Sequence, residues 1–215
     1  PTVTLTSSAS SIAENSGSAV TLTATLTGAT SQAVTVSLST SGTGTEGTDY
    51  ATISDITISA GSTTGTASLT PTDDAVYEGS ETAIVAISAV SGGSATENGT
   101  QTQTVTITDN ETAPTVTLTS SASSIAENSG SSLTLTATLS VATTANVTVS
   151  LGVSGVTESG NDISTVSDIV VSAGNTTGTA TFTPIDNGFY DGDLTATIDI
   201  TGVSGGSASE NGTQQ

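Results

Sequence analysis

The chain has 215 residues, with 20 acidic side chains and no lysine, arginine, histidine or cysteine, for a formal charge of −20. Nucleic acid is excluded because no side chain can neutralise a phosphate, and an anionic membrane surface is disfavoured for the same reason. Also excluded are disulfides, thiolates, imidazole ligands or bases, the usual zinc sites, and lysine Schiff bases or isopeptide crosslinks.

Cations are the natural partners of such a chain. No stretch approaches the roughly 20 apolar residues of a membrane span, so no direct membrane insertion is expected. No signal peptide is visible, as expected of a fragment of a secreted chain. A large charge, much Ser and Thr and few aromatics fit a disordered profile. Strict alternation of Val, Ile and Leu with Thr does not, since an unstructured chain has no reason to keep it.

The elements read in chain order. Residues 2–6 form a first strand. Val20, Leu22, Ala24 and Leu26 alternate with Thr21, Thr23 and Thr25. Val34, Val36 and Leu38 alternate with Thr35 and Ser37. Residues 56–58 and 67–69 flank a turn at 61–65. Ala83, Val85 and Ile87 form a further core face, and Val105 and Ile107 mark the last strand. Seven or so strands with Gly-, Ser- and Asp-rich turns imply an all-β, Ig-like Greek-key sandwich of two sheets.

Self-similarity sets the organisation. PTVTLTSSASSIAENSGS begins at Pro1 and returns at Pro114, and the offset of 113 holds without a gap, so that 66 of 102 positions are identical. Asp49 falls on Asp162, Pro71 on Pro184, Tyr77 on Tyr190 and Glu97 on Glu210. The expected domains are 1–113 and 114–215, each large enough to bury its own core. In the second, Ala196, Ile198 and Ile200 stay apolar while Asp199 replaces Ala86. The linker is short, about six residues at 109–114, and ends in Pro114, unlike a flexible Gly/Ser tether. Repeat 1 continues after Asn98-Gly-Thr with QTQTVTITDNE, its last strand, whereas repeat 2 stops at Asn211-Gly-Thr-Gln-Gln. The expectation is a piece of a longer parent that supplies the missing strand. The alternative is a strand from a neighbouring subunit.

Eight acids of repeat 1 fall at strand ends and loops and are the candidate ligands: Glu14, Asp49, Asp73, Asp74, Glu78, Glu81, Asp109 and Glu111. Two carboxylates about 5 Å apart repel by roughly 3 kcal/mol at an effective dielectric near 20, and only a metal or protons can relieve a cluster here. Calcium suits flexible, all-oxygen coordination better than magnesium does. The alternative is that these are solvated surface acids.

Four motifs resemble the Calx-β domain, found in sodium–calcium exchangers and as repeats in large bacterial surface proteins. They are AEN-x-G (Ala13, Glu14, Asn15, Gly17), G-x-DY (Gly47, Asp49, Tyr50), DD-x-x-YE-x-x-E (Asp73, Asp74, Tyr77, Glu78, Glu81) and V-x-I-x-DNE (Val105, Ile107, Asp109, Asn110, Glu111). The resemblance implies a sandwich that binds Ca²⁺ at one end through those eight of the acids of repeat 1. Repeat 2 keeps Glu127, Asp162 and Asp186, has Asp191 where repeat 1 has Glu78, and puts Asn187 and Leu194 in place of two acids. It should hold less calcium.

An enzyme is not expected. A carboxylate pair of the glycosidase kind needs aromatic sugar platforms, and the chain has three Tyr and two Phe. Thr-rich strands could present a flat hydroxyl face to a glycan or to ice, but Thr is a good strand former that alternation places on the solvent side. Sequons such as those at Asn98, Asn175 and Asn211 are common by chance in so Thr-rich a chain. The expected role is a calcium-stiffened structural segment of a secreted or bacterial cell-surface stalk, filament or adhesin, partnered by further repeats or neighbouring subunits. An adhesive module that binds a glycan directly is the alternative.

Overall fold

A computed structural model describes residues 1–155, 162–190 and 192–214. Ten strands precede residue 110: β1 (Thr2–Ser7), β2 (Ser11–Ala13), β3 (Val20–Leu26), β4 (Val34–Gly42), β5 (Ile56–Ile58), β6 (Thr64–Leu69), β7 (Val76–Tyr77), β8 (Glu81–Ser91), β9 (Thr96–Glu97) and β10 (Thr102–Thr108). Among the described residues eight follow: β11 (Thr115–Ser120), β12 (Leu133–Leu139), β13 (Ala142–Thr143), β14 (Val147–Gly155), β15 (Ile169–Val171), β16 (Thr177–Phe182), β17 (Ala196–Ser204) and β18 (Ser209–Glu210). The chain divides into two compact units. The first is Pro1–Asp74 with Gly79–Asn110; the second is Ala75–Glu78 with Glu111–Gln215.

The first unit is a sandwich of a four-stranded sheet, β6-β3-β1-β9, and a five-stranded sheet, β2-β10-β8-β4-β5. Alternation makes it: on β3, Val20, Leu22, Ala24 and Leu26 are buried while the threonines between them face outward. Val105 and Ile107 of β10 complete the core, which also holds Val3, Leu5, Val34, Val36, Ile56, Ile58 and Tyr50. The sheets meet closely where β5 passes β6. A Cβ on Gly65 would lie 2.6 Å from the Thr57 carbonyl oxygen, so only glycine fits, and Gly178 repeats the arrangement against Val170 at the same distance.

Leu38 departs from the simple alternation. Between Ser37 and Leu38 the register of β4 against β8 shifts by a bulge. Asp55 caps this irregularity, accepting from Ser37 Oγ at 2.9 Å and from Leu38 N at 3.0 Å. Asp168 does the same on β14, for Ser150 Oγ at 2.9 Å and Leu151 N at 3.3 Å.

The second unit has the sheet β16-β12-β11-β18, a three-stranded sheet β15-β14-β17, and a two-stranded parallel ribbon β13-β7. Its core contains Val116, Leu135, Val147, Val149, Ile163, Ile169 and Val171. Among the described residues β17 pairs with β14 alone, whereas β8 pairs with both β4 and β10.

Candidate metal centre

The acids of repeat 1 are positioned by ladder register. Strand β2 runs parallel to β10, with Ala13 opposite Thr108, so the next residues, Glu14 and Asp109, emerge side by side. Glu14 opens a short 3₁₀ turn, Glu14–Ser16, which stops at Gly17 in the left-handed conformation, φ +62°. Its side chain is 7% exposed, so this carboxylate has lost most of its water. Glu14, Asp109 and Glu111 each bring one oxygen within 4.8 Å of the others.

A second group forms from Asp49, Glu78 and Glu81, all half-buried, under the same 4.8 Å limit. Glu81 begins β8, Glu78 lies three residues earlier, and Asp49 precedes the buried Tyr50. Tyr50 bridges to Pro71, and Thr72 N donates to the Asp49 carbonyl at 2.9 Å, which fixes this loop. The groups are neighbours: Asp109 Oδ2 of the first accepts from Gly79 N, beside Glu78 of the second, at 2.6 Å.

The remaining expected residues join neither group. Asp73 and Asp74 are exposed. So are Glu127 and Asp186, while Asp162 is half-buried. Asp191 lies outside the described residues. Among the described residues both groups of three fall within positions 14–111.

Other acids do structural work that their sequence context does not advertise. Glu46 accepts from Thr40 Oγ1 at 2.6 Å and Ile53 N at 2.7 Å, holding the loop that carries Asp49. Glu97 Oε1 accepts from Gln101 N, and Glu210 Oε1 from Gln214 N, both at 2.6 Å. The available signal was the recurrence of Glu97 at Glu210 and Asp55 at Asp168 in both repeats. The phenol of Tyr50 is pushed above its ordinary 10.0, first by burial and then by the charges of Glu46, Asp49 and Glu81, with a hydrogen bond to Thr40 working the other way.

The donor set suits a hard divalent cation. Each group offers only oxygen, and the chain holds no cationic side chain to balance it. Three carboxylates at such distances repel by about 3 kcal/mol per pair before solvent screening, a cost that a bound dication removes.

Two packed, mostly antiparallel sheets with carboxylates clustered at strand ends and turns make an all-β sandwich module. The Calx-beta domain model matches residues 1–111, and the chain belongs to that family. No curated protein matches it. Among solved structures it is similar to CBD12 from CALX1.2, at 17% identity and TM-score 0.45, covering 95% of this chain and 81% of that one. It is similar to the calcium binding domain CBD12 of CALX1.1, at 18% identity and TM-score 0.41, covering 90% and 77%. The apo form of the Calx CBD1 domain matches at 22% identity and TM-score 0.42, covering 51% of this chain and 98% of that one.

Proposed function

We propose that this protein is a calcium-stiffened structural segment of a secreted or cell-surface stalk, filament or adhesin, with repeats 1–113 and 114–215 as its modules. The observation that carries this reading is the pair of three-carboxylate groups in a chain without one cationic side chain. Glu14, Asp109 and Glu111 would hold one ion and Asp49, Glu78 and Glu81 another. The ion's part is electrostatic: it neutralises the acids and ties the turn after β2, the start of β8 and the residues after β10 to one another. Asp109 and Glu111 lie in the short connector between the repeats, so ordering them restricts the connector. An exposed extracellular location, with further repeats or neighbouring subunits as partners, goes with this reading, and dense surface charge of one sign fits it.

The test is thermal melting in millimolar calcium and in chelator. An ion that binds only the folded state stabilises it by about 2.7 kcal/mol at 100-fold excess over Kd, which raises the transition by several degrees. Coincident curves would overturn the calcium reading.

A further inference from the structure

The turn after β9 carries an Asn-Gly dipeptide that neither carboxylate group uses. Asn98, Gly99 and Thr100 are all exposed. Gly99 is left-handed, φ +66°, and a Cβ built on it would meet nothing within 4 Å. Its nitrogen therefore has no side chain beside it and open space around it. Among the described residues no hydrogen bond holds the Asn98 carboxamide or the Gly99 N–H. The main chain on either side is held. Asn98 N donates to the Val3 carbonyl at 3.0 Å, Gln101 N to Glu97 Oε1 at 2.6 Å, and Gln101 Nε2 to the Asn98 carbonyl at 2.5 Å. The same turn recurs at Asn211-Gly212, where Gly212 also has φ +66° and Asn211 N donates to the Val116 carbonyl at 2.9 Å.

We propose that Asn98 and Asn211 are sites of spontaneous modification, each passing through a cyclic imide to aspartate and isoaspartate with water as the only co-reactant. The glycine nitrogen gives its proton to hydroxide and bonds to the asparagine Cγ, closing a five-membered ring. The Cγ–Nδ2 bond breaks and ammonia leaves. Water then opens the imide at either carbonyl and leaves a carboxylate, with no change of oxidation state. Both reacting atoms belong to one dipeptide, so the attack is intramolecular and needs no catalyst. Opening at the original backbone carbonyl reroutes the main chain through Cβ and Cγ, one carbon longer. That form stretches the turn that pins β9 on β1, where Thr2 pairs with Thr96 and Val3 with Glu97. Each event also adds a negative charge beside Glu97 or Glu210, in a chain with no cationic side chain to offset it. Both effects loosen this edge as the protein ages. Two other asparagines mark the limits. Asn187-Gly188 is the same dipeptide, but Asn187 Oδ1 accepts from Phe189 N at 2.8 Å, a bond that must break before the carboxamide can turn. Asn146 Oδ1 accepts from Ala173 N at 2.9 Å, and the nitrogen that follows belongs to the buried, β-branched Val147.

The test incubates the 215-residue protein in mildly alkaline buffer, folded and in urea. Mass spectrometry follows the gain of about one dalton per site as an amide becomes an acid. Peptide mapping after cleavage at glutamate, with fragmentation that separates isoaspartate from aspartate, places each event. Folding should leave the rates at Asn98 and Asn211 nearly unchanged, slow Asn187 several-fold, and keep Asn146 intact. The aged protein should exchange the Asn98 and Gln101 amides faster than fresh protein does. Asn98→Gln would have to close a larger ring, so this site should keep its mass and its exchange rates through the same incubation. An Asn98 that outlasts Asn187 in the folded protein, or stays intact while the unfolded chain reacts, would overturn the proposal. So would conversion at Asn98 with no change in exchange at its turn.

Discussion

Strands β1 and β11 have the same six residues, Thr-Val-Thr-Leu-Thr-Ser, and pair in the same way, yet Leu5 is 2% exposed while Leu118 is only half-buried. Residues 11–13 and 124–126 are both Ser-Ile-Ala, but only the first set forms a strand. Identical sequence gives different burial because burial belongs to the neighbours. In the first unit β10 pairs with β2 on one side and β8 on the other; in the second no described strand occupies that position.

Leu5→Ala against Leu118→Ala is the strongest way to break this comparison. At Leu5 the loss of a fully enclosed side chain should cost about 2–5 kcal/mol. At Leu118, which is only half-buried, the cost should be about half that or less. Denaturant unfolding, with amide exchange to assign the loss to a unit, reads both. Equal costs would mean that Leu118 is as well packed as Leu5.

The acids give the next contrast. Glu14 is 7% exposed and grouped with Asp109 and Glu111, while its counterpart Glu127 is exposed and ungrouped. Glu14→Gln should remove most of the calcium-dependent gain in stability, about 2–3 kcal/mol at saturating ion. Glu127→Gln should leave it within about 0.5 kcal/mol of the parent, as surface changes usually do. Calorimetric melting with and without calcium checks the pair. If Glu127→Gln removed as much as Glu14→Gln, the second repeat would be an equal partner in binding.

Where the two units agree, substitutions should agree. Asp55 and Asp168 hold equivalent bulges through equivalent bonds. Replacing either by Ala should cost about 0.5–1.5 kcal/mol, with little difference between them, since both carboxylates are exposed and solvent compensates in part. A large cost at one alone would show that the bulges are not equivalent, whatever their geometry.

The period-two runs at 20–26, 34–36 and 102–108 were legible because each buries one face and leaves threonine on the other. The repeat was legible from the offset alone. The bulge at Ser37 and Leu38 was not, because a bulge leaves no mark on composition. Nor was the two-residue ribbon of β7 and β13, which is too short for a pattern. Eight acids could be named in repeat 1, but that Glu14 joins Asp109 and Glu111 depends on β2 running parallel to β10. That register joins positions far apart in the chain. Asp73 and Asp74 matched a motif and are exposed in the fold, since adjacency in sequence does not fix where a loop side chain ends up.

The smallest effect at neutral pH is also the most specific. Tyr50 is 1% exposed, and the same position in repeat 2 is Ile163, 3% exposed. Burial raises the Tyr50 pKa above 10.0, and the carboxylates of Glu46, Asp49 and Glu81 raise it further. With the folded value above the unfolded one, the folded state holds its proton more tightly. The associated stability is complete below the unfolded pKa. It is lost as pH rises from there through the folded pKa. The first unit should therefore weaken as pH climbs past about 10, and the second has no such term at Ile163. Tyr50→Phe should flatten that decline while forfeiting the hydrogen bond to Thr40, so it costs some stability at pH 7 and gains relative to the parent in alkali. Amide exchange in each unit between pH 7 and 11, corrected for intrinsic rates, measures both slopes. A parent and a Tyr50→Phe variant that decline in parallel would place the alkaline sensitivity elsewhere, most directly in repulsion among the acids that already crowd this loop.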